Sequence, residues 1–343
     1  MGGWRQEEGR QIGNEGLKVM YLNVQSLNKK MNELRANVCE SKPDVVLIVE
    51  SWTHDGISDA FLKLEGFELI ERKDRNDKMA GRGGGLLMYA RRDLCAWKEE
   101  LNGKFNQAGK MVVKSGKEEL AIKLVYRSLN SKKENDMDLC EWVKTMKGDF
   151  VIFGYFNFPG INWGTGRSDV KGREFISVIE NKFISQHVTE MTHISGNILD
   201  LILSSSENLI NEVGSHGRLG GSDHEILMCT VGLPMVKKEK EVKVKDYKNG
   251  NYEEMRKNLN LNWEKVMEEM SVEASWEMIK TKLEKETEEN VPLKTQRNRS
   301  EPKWMTREIK TMIRKKKRLW NKARGSGRAK DKCEYKKVEK EKD

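Results

Sequence analysis

Short apolar runs that end in a polar residue recur along this chain. Residues 149–153 predict a strand that leads into Gly154-Tyr155-Phe156-Asn157, and residues 45–49 predict another that ends at Glu50. Runs of this length bounded by turn residues are typical of strands buried on both faces. The pattern therefore indicates a sheet whose strand ends present polar side chains to neighbouring loops.

The remaining periodicity predicts a sheet core flanked by helices. Further strands are predicted at four places: 17–23, 119–126, 197–203 and 226–231. A Gly-rich turn at 82–85 leads into another strand, and it lacks the Lys-Ser/Thr that a phosphate-binding P-loop needs. Helical spacing of apolar residues begins at Met31, at Asp136 and at Arg173. Because strands and helices alternate unevenly, two packed sheets fit better than a doubly wound parallel sheet.

Four segments follow from the composition along the chain. Residues 1–16 combine glycines with charges and no periodicity, which predicts a disordered leader. Residues 17–233 hold the predicted core, and 234–293 form a helical connector whose Trp263 and Trp276 belong to a predicted amphipathic packing face. Residues 294–343, the basic tail, include a helix from Trp304 to Trp320 that is interrupted at Gly325-Ser326-Gly327.

Charge is concentrated in the basic tail. It contains 20 Lys and Arg against 7 Asp and Glu, whereas the net charge of the whole chain is +9. The residues before 294 therefore sum to about −4. Lys315, Lys316, Lys317 and Arg318 lie beside Trp320, a pattern that favours contact with nucleic-acid phosphate. A solvated charged helix or a localisation signal are the alternatives.

The cysteine pattern points to a reducing compartment, and the hydropathy argues against a membrane span. The five cysteines are dispersed and contain no Cys-x-x-Cys pair, which argues against a disulfide framework or a zinc site. No apolar run approaches the about 18 residues of a membrane span. We expect an intracellular protein, nuclear or cytoplasmic, that has no membrane partner.

The polar strand ends suit the hydrolysis of a phosphodiester. Glu50 is a hard oxygen ligand of the kind that Mg²⁺ prefers, and Asp223-His224 adds a carboxylate and an imidazole. Asp200 lies within an apolar strand, where a carboxylate is costly unless it is paired. A pairing with His224 would fix the imidazole tautomer and raise its pKa.

Each residue alone has a simpler interpretation. Glu50 could cap a turn, Asp223-His224 could be an ordinary loop, and Asn23 could form an Asx-turn. Tyr126 could be a half-buried strand aromatic. Their equivalent placement at the ends of separate strands favours a common functional site.

The order of these motifs resembles that of the endonuclease/exonuclease/phosphatase (DNase I-like) family. The motifs that carry the resemblance are Leu22-Asn23-Val24-Gln25, Val49-Glu50-Ser51, Arg82-Gly83-Gly84-Gly85, Val125-Tyr126-Arg127, Gly154-Tyr155-Phe156-Asn157, Leu199-Asp200-Leu201 and Ser222-Asp223-His224. More narrowly, residues 17–233 resemble the apurinic-endonuclease-like domain of non-LTR (LINE-type) retrotransposon polyproteins. The segment from Trp263 through the basic helix resembles the connector that precedes reverse transcriptase there. No polymerase signature is found in this chain, so no polymerase activity is implied.

The resemblance implies a fold class and an activity. The fold is α/β (α+β), a four-layer sandwich of two packed mixed sheets flanked by helices, here with a C-terminal helical basic extension. The activity is Mg²⁺-dependent nicking of DNA to leave a 3′-hydroxyl, with Mn²⁺ as an alternative metal and RNA as an alternative partner. A dead nucleic-acid-binding remnant, or a phosphatase acting on a small or lipid phosphate, remain the rival functions.

The resemblance also implies a role for each matching residue. Glu50 and Asn23 would hold the metal, and Tyr126 and Asn157 would contact the phosphate or the attacking water. Asp200 would orient His224, which would stabilise the pentacovalent phosphate. Asp223 would belong to the metal and water shell, supported by Ser222.

One residue departs from the family pattern. The family has Gly-Asp-Phe-Asn where this chain has Gly154-Tyr155-Phe156-Asn157. The expected Asp positions water as a base, whereas a tyrosine, with an ordinary pKa near about 10, is neutral at pH 7. Asp149 lies six residues earlier in the sequence and does not substitute for it. The sequence therefore predicts a weak or inactive nuclease.

Overall fold

The computed structural model describes residues 16–74, 83–128, 130–233, 243–295, 302 and 304–340. All but the last residue of the predicted leader at 1–16 lies outside these residues, as do Arg82, the predicted end of the core at 234–241 and the linker at 296–300. The described residues form two compact units, one reaching to 233 and resuming at 302, the other comprising 243–295. No described helix is both long enough and apolar enough to cross a membrane.

Strands and helices follow one another through the described residues. In chain order they are β1 (Leu17–Asn23), α1 (Met31–Ser41), β2 (Val45–Val49), α2 (Asp59–Leu62), β3 (Phe67–Lys73), β4 (Leu86–Arg91), β5 (Cys95–Lys98), β6 (Ala108–Ser115), β7 (Glu118–Tyr126), α3 (Lys133–Thr145), β8 (Phe150–Tyr155), α4 (Val170–Asn181), β9 (Ser185–Gln186), β10 (Asp200–Ser204), β11 (Ile210–Arg218), β12 (Glu225–Val231), β13 (Lys243–Lys245), α5 (Tyr252–Leu259), α6 (Trp263–Met267), α7 (Val272–Asn290), β14 (Leu293–Thr295), α8 (Arg307–Ser326) and α9 (Ala329–Lys340).

Two six-stranded sheets build the first unit. Their strand orders are β11-β12-β1-β2-β4-β3 and β5-β6-β7-β8-β10-β9. Only β1 with β2 and β7 with β8 run parallel among the described strand pairs, and each of these two pairs is joined by a helix crossover. Both sheets are therefore mixed, as the sequence predicts.

The sheets pack face to face and helices cover their outer faces. Tyr21 and Leu47 of one sheet and Leu124 and Phe153 of the other belong to one buried cluster. A second cluster joins the outer face of β8 and β10 to α3 and α4, and a third joins the outer face of β1 and β2 to α1. Helix, sheet, sheet and helix make the four layers of a DNase I-like α/β sandwich.

Local sequence explains the elements that end at the site. All five residues of β2 are buried, as expected for a strand covered on both faces. Gly154 lets β8 approach β7, because a Cβ there would lie 2.4 Å from the Val125 carbonyl oxygen. The sharp reversal after α1 places Lys42 at φ 50°, just before Pro43.

The helices of the basic tail pack on the first unit instead of forming a separate extension. Helix α8 contacts α1 and β11, and Met305 and Ile313 bury apolar surface against Ala36 of α1. Arg324 donates to Glu225 at 3.2 Å and also pairs with Glu190. Helix α8 ends where Gly327 adopts φ 64°, which accounts for the predicted interruption.

The second unit is a small helical arrangement closed by two short strands. Strands β13 and β14 pair antiparallel, and α5 packs against α7. Buried Glu286 accepts hydrogen bonds from Asn258 at 2.9 Å and Asn290 at 3.0 Å. The predicted helices are present, but the predicted packing face is wrong in part, since Trp276 is 63% exposed. The helical spacing of apolar residues identifies such a face but does not determine whether another element packs against it.

Candidate active site

The sequence-predicted polar residues meet at one edge of the two sheets. Asn23 ends β1, Glu50 follows β2, and Tyr126 and Tyr155 end the parallel pair β7 and β8. Strand β10 runs antiparallel to β8, so its first residue, Asp200, lies opposite Tyr155. The other three, Asn157, Asp223 and His224, lie in the loops that follow β8 and precede β12.

A buried carboxylate organises the centre of this edge. Asp200 is fully buried, and His224 Nδ1 lies 2.7 Å from its Oδ2 while the Tyr21 hydroxyl donates to its Oδ1 at 2.7 Å. Thr192 Oγ1 accepts hydrogen bonds from the backbone N–H groups of Leu199 and Asp200 at 3.0 and 3.1 Å. The predicted pairing of Asp200 with His224 is thus present, and Asp200 is held from three directions.

The Asp200 carboxylate also controls the charge of His224. Burial of the ring favours its neutral form, but the charge and hydrogen bond of Asp200, with smaller contributions from Glu50 and Asp223, raise the pKa of His224 overall. The proton on Nδ1 lies against Asp200, so the opposite nitrogen, Nε2, is left for a substrate. A charged ring of this kind can stabilise a phosphate oxygen.

Glu50 and two amides form a polar group with unsatisfied atoms. Burial raises the pKa of Glu50, offset by the nearby His224 and by the polar side chains of Asn23 and Trp52. Within the described residues, three buried atoms make no hydrogen bond of normal geometry. They are Oδ1 and Nδ2 of Asn23 and Nδ2 of Asn157. Buried polar atoms without partners are costly, which points to a ligand at this place.

The backbone is strained at the same strand ends. Glu50, Trp52 and Asn157 adopt φ values of 52°, 54° and 51°, and Gln25 and Ser26 also have positive φ. Residues other than glycine rarely adopt a positive φ, and those that do cluster at functional sites. Arg127 helps to hold one of them, because its Nη1 donates to the Asn157 carbonyl oxygen at 2.8 Å.

Tyr155 fills the position of the expected aspartate with a neutral ring. Its side chain is buried, and its ring lies 5.1 Å from that of His224 at 90° and 5.9 Å from that of Tyr126 at 25°. Burial, then the carboxylates of Glu50 and Asp200, raise the pKa of Tyr155 well above its ordinary value. The phenol therefore stays protonated and supplies no base near neutral pH.

Asp223 is held by a glutamine beside the site. Its N–H donates to Gln25 Oε1 at 2.9 Å, and Gln25 Nε2 donates to its carboxylate at 3.4 Å. Ser222 Oγ donates to the Asn23 carbonyl oxygen at 2.8 Å, which ties this loop to β1. In the described part of the chain no three His, Cys, Asp or Glu side chains form a cluster that could hold a metal. The metal-shell role of Asp223 stays a prediction.

Several residues of the site escape the sequence pattern. Tyr21 and Thr192 hold Asp200, and the ring of His193 lies 4.7 Å from that of His224. His193 Nδ1 accepts from Ser195 N–H at 3.1 Å, so its proton lies on Nε2 when the ring is neutral. Burial and the charge of His224 lower the pKa of His193. The one sequence signal for Thr192 and His193 is that they stand shortly before the Asp200 strand. Tyr21 has no such signal.

The basic run of α8 divides between two environments. Lys315 and Arg318 are exposed, so their predicted contact with nucleic acid stays a prediction. Lys316 is buried and pairs with Glu33 at 2.6 Å, while Lys317 Nζ contacts His216 Nδ1 at 3.0 Å. Lys316 therefore already has a counter-charge inside the fold, and the predicted nucleic-acid contacts of Lys316 and Lys317 stay predictions.

Comparison with known proteins supports the fold. Residues 120–228 match a family model described as endonuclease-reverse transcriptase. No curated protein sequence matches this chain.

Solved structures resemble about two thirds of this chain, 63–64% of its length. The endonuclease domain of TRAS1, a telomere-specific non-LTR retrotransposon, matches with a TM-score of 0.51 at 15% identity over 64% of this chain and 99% of that domain. The AP endonuclease LMAP from Leishmania major matches with a TM-score of 0.52 at 14% identity, over 64% and 89%. A 3′ phosphatase from Neisseria bound to a product DNA hairpin matches with a TM-score of 0.50 at 16% identity, over 63% and 100%. Identities this low show a shared fold.

Proposed function

We propose that residues 17–233, a domain of the endonuclease/exonuclease/phosphatase fold, act on the phosphodiester bonds of DNA as the nuclease of a retrotransposon-derived protein. The observation that carries the proposal is the buried Asp200–His224 pair, 2.7 Å apart, at the sheet edge where Glu50, Asn23 and Asn157 converge. We further propose that Tyr155 makes this copy a weak or inactive enzyme.

The residues at this edge fit a divalent cation. Glu50 offers a carboxylate and Asn23 an amide oxygen with no partner among the described side chains, both hard oxygen ligands. Mg²⁺ is the ion we expect there, with Mn²⁺ as an alternative. When bound, such an ion neutralises phosphate charge and polarises the scissile bond.

The chain's own side chains would do the remaining work. His224, whose pKa Asp200 raises against the effect of burial, would donate from Nε2 to a non-bridging phosphate oxygen and stabilise its growing negative charge. Asn157, whose Nδ2 has no hydrogen-bond partner in the described structure, would donate to the phosphate or the attacking water. Tyr126, stacked on Tyr155, would contact the same group.

Tyr155 is the reason for expecting low activity. A water molecule attacking phosphorus needs a group that accepts its proton, and a buried phenol with a raised pKa is already protonated. The loss of one general base costs about 10²–10⁴-fold in rate. Position 155 thus favours a second candidate, a nucleic-acid-binding remnant without turnover.

DNA is the substrate that the comparisons favour. The matching proteins include a retrotransposon endonuclease, an AP endonuclease and a phosphatase bound to a DNA hairpin. Exposed Lys315 and Arg318 would add affinity for the backbone.

A nicking assay on supercoiled plasmid with Mg²⁺ tests the proposal. We expect little nicking by the unaltered protein and a gain of about 10²-fold or more in the Tyr155→Asp variant. Adding His224→Ala to that variant should remove the gain, which excludes a contaminating nuclease. Brisk nicking by the unaltered protein that Tyr155→Asp does not improve would refute the proposed impairment.

A further inference from the structure

A cavity of about 270 Å³ lies outside the candidate active site, between α1, β11, α8 and α9. Charged and aromatic side chains line the cavity, among them Lys316 and Lys317 of the basic run. Its size is just below the about 300 Å³ at which pockets begin to hold drug-sized ligands. The cavity therefore has room for a small polar group and its immediate attachment.

The two acidic side chains of the cavity are already neutralised. Glu33 pairs with Lys316 at 2.6 Å, and Glu40 pairs with Arg314 at 2.7 Å. Both pairs join α1 to α8. Each acidic side chain of the cavity wall therefore has a cationic partner.

Two further cations of the cavity form no such ion pair among the described residues. Lys317 contacts His216 Nδ1 at 3.0 Å, and Arg218 Nη1 donates to the Ser222 carbonyl oxygen at 3.3 Å. Among the described residues neither forms an ion pair with a carboxylate. Both are half-buried, where an unpaired charge costs free energy that a bound anion would offset.

His216 adds a neutral donor. Burial, with Lys317 beside it, lowers the pKa of His216 to about 4, so the ring is uncharged near neutral pH. Because Nδ1 accepts from Lys317, the ring proton lies on Nε2. The imidazole thus hydrogen-bonds to Lys317 without cancelling its charge.

The guanidinium of Arg218 is held in place by stacking. It lies 4.5 Å from the ring centroid of Trp320 and 5.5 Å from that of Tyr335. Neither Arg218 Nε nor Trp320 Nε1 has a hydrogen-bond partner in the described structure. A planar, pre-oriented guanidinium is the usual donor to phosphate oxygens.

We propose that this cavity binds a phosphate group, with Arg218 and Lys317 as its counter-charges. The group would be a free or terminal phosphate, or a phosphate of a nucleic-acid backbone, since both present the same oxygens. Arg218 also donates to the Ser222 carbonyl oxygen, so it links an occupant of the cavity to the segment before His224. The proposal does not depend on nuclease activity.

Calorimetric titration of the full chain with inorganic phosphate tests the site. Lys317→Gln should weaken phosphate binding about tenfold or more, the loss typical of a charged hydrogen bond. Lys336→Gln removes the same charge from an exposed position of α9 and should leave phosphate affinity unchanged. Arg218→Lys keeps the charge but loses the planar fork and should also weaken binding. Thermal melts of the variants verify that each is folded.

A labelled dT12 oligonucleotide distinguishes the two sources of phosphate. If the cavity takes a backbone phosphate, Lys317→Gln lowers dT12 affinity and reduces the salt slope by about one. If it takes a small phosphate compound, only the inorganic phosphate affinity falls. Both results support the site. It is refuted if inorganic phosphate does not bind, or if Lys336→Gln weakens binding as much as Lys317→Gln. A failed nicking assay would leave these results untouched.

Discussion

The ring of Tyr155 meets that of His224 edge to face, with centroids 5.1 Å apart and planes at 90°. An aromatic side chain thus packs against the imidazole at the position where the related motif has a carboxylate. Contacts of this kind stabilise by about 0.5–1.5 kcal/mol beyond area burial. The tyrosine that is proposed to cost this site its base therefore also adds packing to it.

Tyr155→Asp should lower stability while it raises activity. The change removes a buried ring and adds a charge near Glu50, so we expect a loss of about 3 kcal/mol in the free energy of unfolding without metal. Excess Mg²⁺ should recover part of it, since an ion bound at Glu50 would offset the repulsion between the two carboxylates. Urea unfolding with and without Mg²⁺ measures the loss of stability and its recovery. Tyr155→Phe is the control that keeps the ring. An Asp variant as stable as the parent would contradict this.

Asp200→Asn should lower the pKa of His224. The folded-state pKa of His224 is raised, so the stability that its charge contributes is complete below the unfolded value of about 6.5 and is lost as pH rises through the folded pKa. In the Asn variant this loss with rising pH should largely disappear. NMR titration of the imidazole with urea unfolding at several pH values checks it. His216, with a pKa of about 4, serves as an internal reference. An unchanged His224 titration would exclude Asp200 as the cause.

Thr192→Val should loosen the Asp200 strand. Thr192 is fully buried and its Oγ1 accepts from two backbone N–H groups, which valine would leave unsatisfied. Leaving buried donors unpaired costs about 1–3 kcal/mol each. Thr192→Ser keeps the acceptor and should cost less. Equal losses in the two variants, measured by urea unfolding, would mean that packing and not the hydroxyl matters.

Gly154→Ala should push β7 and β8 apart. The added Cβ would lie 2.4 Å from the Val125 carbonyl oxygen and 2.8 Å from Val125 Cβ, and backbone atoms cannot rotate away. We expect about 3 kcal/mol of destabilisation, the upper part of the range for overpacking. Gly214→Ala is the matched control, because no atom lies within 4 Å of a Cβ there. Thermal denaturation of both variants decides whether the close approach matters.

The sequence indicates the strands that are apolar throughout and misses those that are mixed. Strands β2, β8 and β12 are almost entirely buried, so their runs predict them directly. Strand β6 carries Lys110 and Lys114, and β11 is mostly half-exposed, so neither shows a clear period. Strand β11 also contains two register shifts, which disturb the alternation of faces.

The same limit applies to the site. The strand-end residues are predictable because the order of their motifs resembles a family pattern. Tyr21 is not, since its partner Asp200 is distant in sequence and only the packing of the two sheets brings them together. The basic run shows a related limit. Four adjacent cations look alike in the sequence, and only the docking of α8 separates exposed Lys315 from buried Lys316.

The central position of β1 has a consequence for how the chain folds. Strand β1 lies between β2 and β12, with Leu17 opposite Val231. Its six-stranded sheet can therefore be completed only after β12 has been synthesised. Such distant pairing slows folding and leaves a strand edge open in the meantime. A nascent chain of this protein should therefore depend on chaperones until β12 leaves the ribosome, and fragments ending before β12 should aggregate.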